Sequence, residues 1–335
     1  MALPDFLLIG APKAGTTALH VALAGHPDVC MSRVKEPKFF LGDGPPPTGG
    51  GPGDAKTYAE YVWQREDYEA LWDAATPGQL LGESTTLYLG DPAAHRRIRA
   101  LTPDAKLVAV LRDPVDRAHS NWSHLRSAGL EHVDDFPRAC MLGERRITEG
   151  WGPFWNYLGL GRYGEQLEQL YEVFAREQVL LLMYRDLREH PVASLDEVCT
   201  FLGLRPGLLT DLPSENVTAH VDDGFINQKL LKVAQGATKR GGVFRPVNHA
   251  VQSLAVKALQ RQQRTRPAIS FEERRLLLPH FADDIDRLER ITGCSFAHWR
   301  DPDNGLTRRP LSINGRFGTA FRSIDRPIKE AKEAT

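Results

Sequence analysis

Lys13 stands in the run Gly10-Ala-Pro-Lys-Ala-Gly15-Thr-Thr, which follows an apolar stretch and opens a helical one. A lysine, a glycine and two hydroxyls at that spacing make an anion cradle. Backbone N–H groups converge where the helix dipole is positive, and the ammonium adds a full charge. The frame has the outline of a Walker A loop, GxxxxGK[ST], but no lysine follows Gly15. A nucleotide kinase uses that later lysine, with Mg²⁺, on its β- and γ-phosphates. A lysine at the loop apex instead reaches the bridging oxygen of a shorter anion, where less charge has to be neutralised and no metal is called for. Thr16 and Thr17 can cap the helix and bind ligand oxygens at once.

Arg112 ends a second apolar run, and Ser120 lies eight residues on. A guanidinium offers a fork matched to phosphate oxygens, and a hydroxyl on the next helix adds a donor. Alone, Arg-Asp-Pro after a strand reads equally as a salt bridge and a helix cap. Glu36, between Lys35 and Lys38 and ahead of two phenylalanines, is a candidate general base or a surface ion pair. His124 falls one turn after Ser120 on the same helix face, as ready to be structural as catalytic. Between Asp223 and Glu272 there are nine Lys or Arg and no acid, a solvated face or a surface for a polyanion, and it contains Lys239-Arg240-Gly241-Gly242.

The elements that must position these groups alternate. Phe6 to Gly10 predicts a strand, and Thr17 to Ala24 a helix. Lys106 to Arg112 predicts a buried strand closed by Asp113 as N-cap and Pro114 as the first residue of a helix running to about Ala128. Tyr163 to Ala175 reads as helix, Gln178 to Met183 as strand, and Ser194 to Leu202 as a helix ended by Gly203. Gln79 to Gly82 reads as a short strand. Tyr58 to Ala74 and Phe271 to Thr292 each have the spacing of one helix. The Gly- and Pro-rich stretch Gly42 to Asp54 predicts an exposed, mobile loop. Trp151, Trp155 and Tyr157 line a sugar cleft or, the reading favoured here, pack a loop onto the core. The sum is an α/β fold, a doubly wound parallel sheet flanked by helices in a single large domain over residues 1–300, with 301–335 an extended or partly disordered tail.

PKAGTT resembles the 5′-phosphosulfate loop of sulfotransferases that use 3′-phosphoadenosine-5′-phosphosulfate (PAPS). The resemblance implies donor contacts from Lys13, Ala14, Gly15, Thr16 and Thr17. Leu107 to Ser120 is similar to the family's 3′-phosphate segment, which assigns Arg112 and Ser120 to that phosphate. The pattern is most similar to the heparan-sulfate and carbohydrate type and its bacterial relatives. Lys35-Glu-Pro-Lys-Phe-Phe40 resembles the segment that supplies the catalytic base, here Glu36. Gly82 to Tyr88 looks like the family's Glu-Lys-Thr-Pro segment with Ser84 and Thr86 replacing Lys and Pro. Asn121-Trp-Ser-His124 is similar to a region with a histidine near the acceptor, and Lys239, Arg240 and Gly241 to a loop closing over the 3′-phosphate. The implied reaction is sulfuryl transfer to a glycan or small-molecule hydroxyl or amine, releasing adenosine 3′,5′-bisphosphate (PAP), with no metal.

Composition sets the outer limits. A net charge of −1 with 25% charged residues argues against a globally basic nucleic-acid binder. No apolar run approaches the ~18 residues of a membrane span, and no signal peptide is evident. Cys30, Cys140, Cys199 and Cys294 lie far apart without metal-ligand spacing, so the expectation is reduced thiols in a cytoplasmic protein. A P-loop kinase with Asp113 as metal ligand, and a non-catalytic module that holds an anionic glycan, are the competing readings.

Overall fold

The structure is a computed structural model that describes residues 2–212 and 268–303. The predicted loop residues Lys239, Arg240 and Gly241, and the tail from residue 304, lie outside the described residues. Among the described residues five strands form one parallel sheet: β1 (Phe6–Gly10), β2 (Val29–Met31), β3 (Leu80–Ser84), β4 (Lys106–Leu111) and β5 (Val179–Met183), in the order β2-β3-β1-β4-β5. Every residue of β1 and β5 is buried, as continuous apolar runs require when helices cover both faces of a sheet. The chain leaves β1 toward β3 and β2 on one side, then crosses to β4 and β5 on the other. The ends of β1 and β4 therefore frame the crevice where ligands of such sheets sit.

Helices begin where the sequence caps them. Asp113 accepts from the N–H groups of Val115 and Asp116 at 3.0 Å each and starts the helix Pro114–Ser127, with proline at its first position. Gly203, at φ 84°, ends the helix Pro191–Leu202. Arg274, on the helix Phe271–Leu277, is buried and donates to Asp113 at 2.9 Å and to Asp116, tying a late element to the start of an early one. Trp151, Trp155 and Tyr157 gather around Arg146, itself paired with Glu131 at 2.7 Å, which packs that stretch onto the core, while Trp155 also lines the cavity described below. All four cysteines are free thiols. Among the described residues no helix is long and apolar enough to cross a membrane.

Three expectations are corrected. Tyr58 to Ala74 is two helices, Asp54–Tyr58 and Arg65–Glu69, followed by a 3₁₀ turn, because the Val62 N–H leaves the helical path to donate to the Pro37 carbonyl at 2.9 Å. Phe271 to Thr292 breaks into Phe271–Leu277, a 3₁₀ turn and Ala282–Thr292, since Pro279 has no N–H and its ring collides with the preceding turn. The Gly/Pro loop is not loose along its whole length. The Asp54 carboxylate takes the N–H groups of Gly51 (2.6 Å) and Gly152 (2.7 Å) and the indole N–H of Trp155 (3.0 Å). One acid thus pins the loop's end across nearly a hundred residues of chain.

Candidate active site

The turn after β1 is built by backbone conformation. Lys13 has φ 66° and Gly15 φ 86°, so the chain doubles back and delivers the first turn of the helix Thr16–Ala24. No side chain caps that helix, so its first N–H groups are directed to whatever anion the loop holds. Ala14 is not among the residues that line the cavity described below. Its methyl is in the core and its N–H donates to the Ala11 carbonyl at 3.2 Å, so it shapes the loop. Across the crevice, at the end of β4, the Arg112 guanidinium donates to the Lys13 carbonyl at 2.8 Å and lies 4.5 Å from the Tyr184 ring centroid. The two anion-binding segments recognised in the sequence are therefore in direct contact.

One cavity of about 730 Å³ is lined by Lys13, Gly15, Thr16, Thr17, Glu36, Arg112, Ser120 and His124 together. Ser120 and His124 project from one face of the helix Pro114–Ser127, as their spacing requires. Among the described residues, the non-glycine residues with positive φ are Lys13, Glu36 and Lys38, and all three line this cavity. Backbone strain gathers where side chains have to be aimed.

Glu36 is held from several directions. Its N–H donates to the Ser84 carbonyl at 2.8 Å, and its carboxylate accepts from Lys35 at 3.0 Å and from the Thr86 hydroxyl at 3.2 Å, with the Lys38 ammonium 3.9 Å away. Burial alone would raise its pKa, but Lys35, Lys38 and the Thr86 hydroxyl outweigh it and hold the carboxyl below the usual range. It is therefore ionised near neutral pH. The following aromatics lock the segment: Phe39 stacks on Tyr68 at 4.1 Å, and the Phe40 N–H donates to the Tyr88 hydroxyl at 3.2 Å. Beneath them the fully buried Glu83 accepts from Tyr68 at 2.7 Å and Tyr88 at 3.3 Å, and burial pushes it up to about 7. Burial, then the Lys13 ammonium, brings His124 down to about 4, so it is neutral at pH 7.

Four contributors went unrecognised in the sequence. Tyr184 and Arg188 follow β5 and line the cavity beside Arg112; the signal was the end of the apolar run at Met183, since ligands gather at the carboxyl ends of parallel strands. Lys38 was seen only as a flank of Glu36. His20, brought to about 4 by burial and Lys35, shares a 2.8 Å hydrogen bond with Ser84, a contact no motif announces. Asp113, the metal ligand of the kinase reading, is already committed to its helix cap and to Arg274. Among the described residues no group of three or more His, Cys, Asp or Glu could hold a metal.

The chain is similar to proteins of known family. A family model described as a sulfotransferase domain matches residues 92–226. Heparan sulfate glucosamine 3-O-sulfotransferase 3B1 of Mus musculus is 31% identical over 238 residues, covering 71% of this chain and 54% of that protein. Bifunctional heparan sulfate N-deacetylase/N-sulfotransferase 4 of Mus musculus is 30% identical over 216 residues, covering 61% of this chain and 23% of that protein. The chain thus spans about half, or less, of the length of these relatives. The crystal structure of a sulfotransferase from Alicyclobacillus acidocaldarius superposes with a TM-score of 0.69 at 27% identity, covering 90% of this chain and 100% of that one.

Proposed function

The chain belongs to the sulfotransferase family, and from that premise we propose that it transfers the sulfuryl group of PAPS to a hydroxyl or amine of a sugar-containing or other small acceptor. The observation that carries the reading is the meeting of Lys13, Arg112 and Glu36 on one cavity, with Arg112 bonded to the Lys13 carbonyl. The loop amides and Lys13 fit a 5′-phosphosulfate, and Arg112 with Ser120 fits a 3′-phosphate.

Glu36, ionised and facing the cavity, takes the acceptor proton as the acceptor oxygen or nitrogen attacks sulfur in line. The S–O bond to the 5′-phosphate breaks, and its electron pair leaves with PAP. Lys13 and the helix-start N–H groups stabilise the charge growing on that departing phosphate. In this reading Glu36 is the main base and the neutral His124 hydrogen-bonds the acceptor. No step in this scheme draws on a metal.

Sulfuryl transfer from labelled PAPS tests it. Glu36→Gln should lose about 10²- to 10⁴-fold in kcat with PAP affinity retained. Lys13→Ala should lose comparable activity, and His124→Gln less than Glu36→Gln. Full activity in the Glu36 or Lys13 variant would sink the assignment. The kinase reading predicts phosphoryl transfer from ATP that EDTA abolishes. The binding-module reading predicts steeply salt-dependent glycan binding without saturable PAP binding.

A further inference from the structure

The same cavity has an apolar wall made by Tyr58, Tyr61, Leu125, Leu130 and Phe154. The Tyr58 and Tyr61 rings meet edge to face at 5.5 Å, and Phe154 meets the His124 ring edge to face at 6.0 Å. Asp54 hangs this wall together, since the segments carrying Tyr58 and Phe154 are joined through its bonds to Gly152 and Trp155.

The charges on the cavity are sorted. Its guanidinium groups, Arg112 and Arg188, both lie against Tyr184, at 4.5 and 5.8 Å, on the donor side. Among the described residues, the lining around this wall has the cation Lys38 and the carboxylates of Glu36, Asp54 and Glu60; Lys35, outside the lining, pairs with Glu36 at 3.0 Å, and Asp54 is taken up by Gly51, Gly152 and Trp155. The Lys38 ammonium is matched locally, 3.9 Å from Glu36 and 5.3 Å from the Tyr61 centroid. A polysulfated chain needs a run of cations along its path, and the described wall would offer it Lys38, already matched by Glu36, and the like-signed Glu60. An uncharged ring would bury an apolar face on tyrosine and phenylalanine without that repulsion.

We infer that the acceptor is an uncharged hydroxyl compound with an apolar ring face, a neutral glycoside or a phenol, held by Tyr58, Tyr61 and Phe154, and not a polyanionic glycan. The inference rests on the donor reading above and names the acceptor class for the same site.

The full chain, including its basic stretch between Asp223 and Glu272, is assayed with labelled PAPS against 2-naphthol, 4-nitrophenyl β-glucoside and N-sulfated heparosan. At least one neutral acceptor should exceed the polysaccharide about tenfold in kcat/KM, the cost of one unfavourable charge contact. Tyr61→Ala should raise the neutral acceptor's KM about five- to tenfold and leave PAP affinity unchanged, while Glu60→Lys should narrow the gap to the polysaccharide. Preference between the two neutral probes assigns phenol or glycoside. Saturable PAP binding by calorimetry, combined with preference for the polysaccharide or with no transfer to either neutral probe, overturns the acceptor inference alone. Absence of PAP binding overturns the donor reading beneath it.

Discussion

Replacing Arg112 with lysine keeps the charge at the end of β4 and removes the fork and the flat face. In the folded chain Arg112 makes two kinds of contribution. It steadies the phosphate loop through the 2.8 Å bond to the Lys13 carbonyl, and its stacking on Tyr184 orients the rest of the guanidinium at the cavity. Losing the loop bond costs about 0.5–1.5 kcal/mol, which any ligand held by the loop would feel. Losing a charge-assisted bond to a 3′-phosphate costs about 1.5–3 kcal/mol more. PAP should therefore bind Arg112→Lys with an affinity lower by roughly 30-fold to 2,000-fold, whereas AMP, which has no 3′-phosphate, should lose only about two- to tenfold. Titration calorimetry of both nucleotides at one ionic strength reads the difference directly. Equal losses for PAP and AMP would show that Arg112 acts only through the loop. A PAP affinity within about threefold of the parent would refute the 3′-phosphate assignment altogether.

Glu83 supplies a pH test. With its carboxyl raised to about 7, the folded chain keeps a proton that the unfolded chain releases above the ordinary carboxylate range, so this group's stabilisation is present in acid and lost as pH rises through 7. Glu83→Gln should raise the thermal midpoint at pH 8 and leave it nearly unchanged at pH 5; no gain at pH 8 would contradict the assigned shift. Asp54→Ala removes a buried acceptor of three hydrogen bonds, at a cost of about 3 kcal/mol. It should open the 42–53 loop to limited proteolysis and raise acceptor KM while PAP affinity holds, and an unchanged cleavage pattern would remove Asp54 from its pinning role.

The sheet was legible because its central strands are continuous apolar runs, each closed by a chemically distinctive turn. Pro12-Lys13 and Arg112-Asp113 mark two strand ends by residue type alone; the strand end at Met183 was read as well, but not that Tyr184 after it reaches the cavity. β2, only Val29–Met31, is too short for periodicity to detect and owes its existence to pairing with β3. The helix breaks at Val62 and Pro279 show two different failures. At Pro279 the chemistry was visible in the sequence and outweighed by the apolar spacing around it. At Val62 the cause is the Pro37 carbonyl, a partner no local window contains. Glu36 was found by its neighbours, but what keeps it ionised includes Thr86, fifty positions away. The Gly/Pro loop misled for a related reason: its composition describes the backbone, and its anchoring depends on one aspartate reaching Gly152 and Trp155.

The Arg274 contact bears on the order in which the fold is completed. Asp113 fixes the start of the helix that presents Ser120 and His124, and its carboxylate sits buried beside an arginine more than 150 residues downstream. A chain emerging from the ribosome would have the five described strands before it had that arginine. Until then Asp113 must keep its water, because an unpaired carboxylate is too costly to enclose. The donor crevice would thus mature only when the C-terminal part of the fold docks, and fragments ending before residue 274 should carry the sheet without a competent nucleotide site.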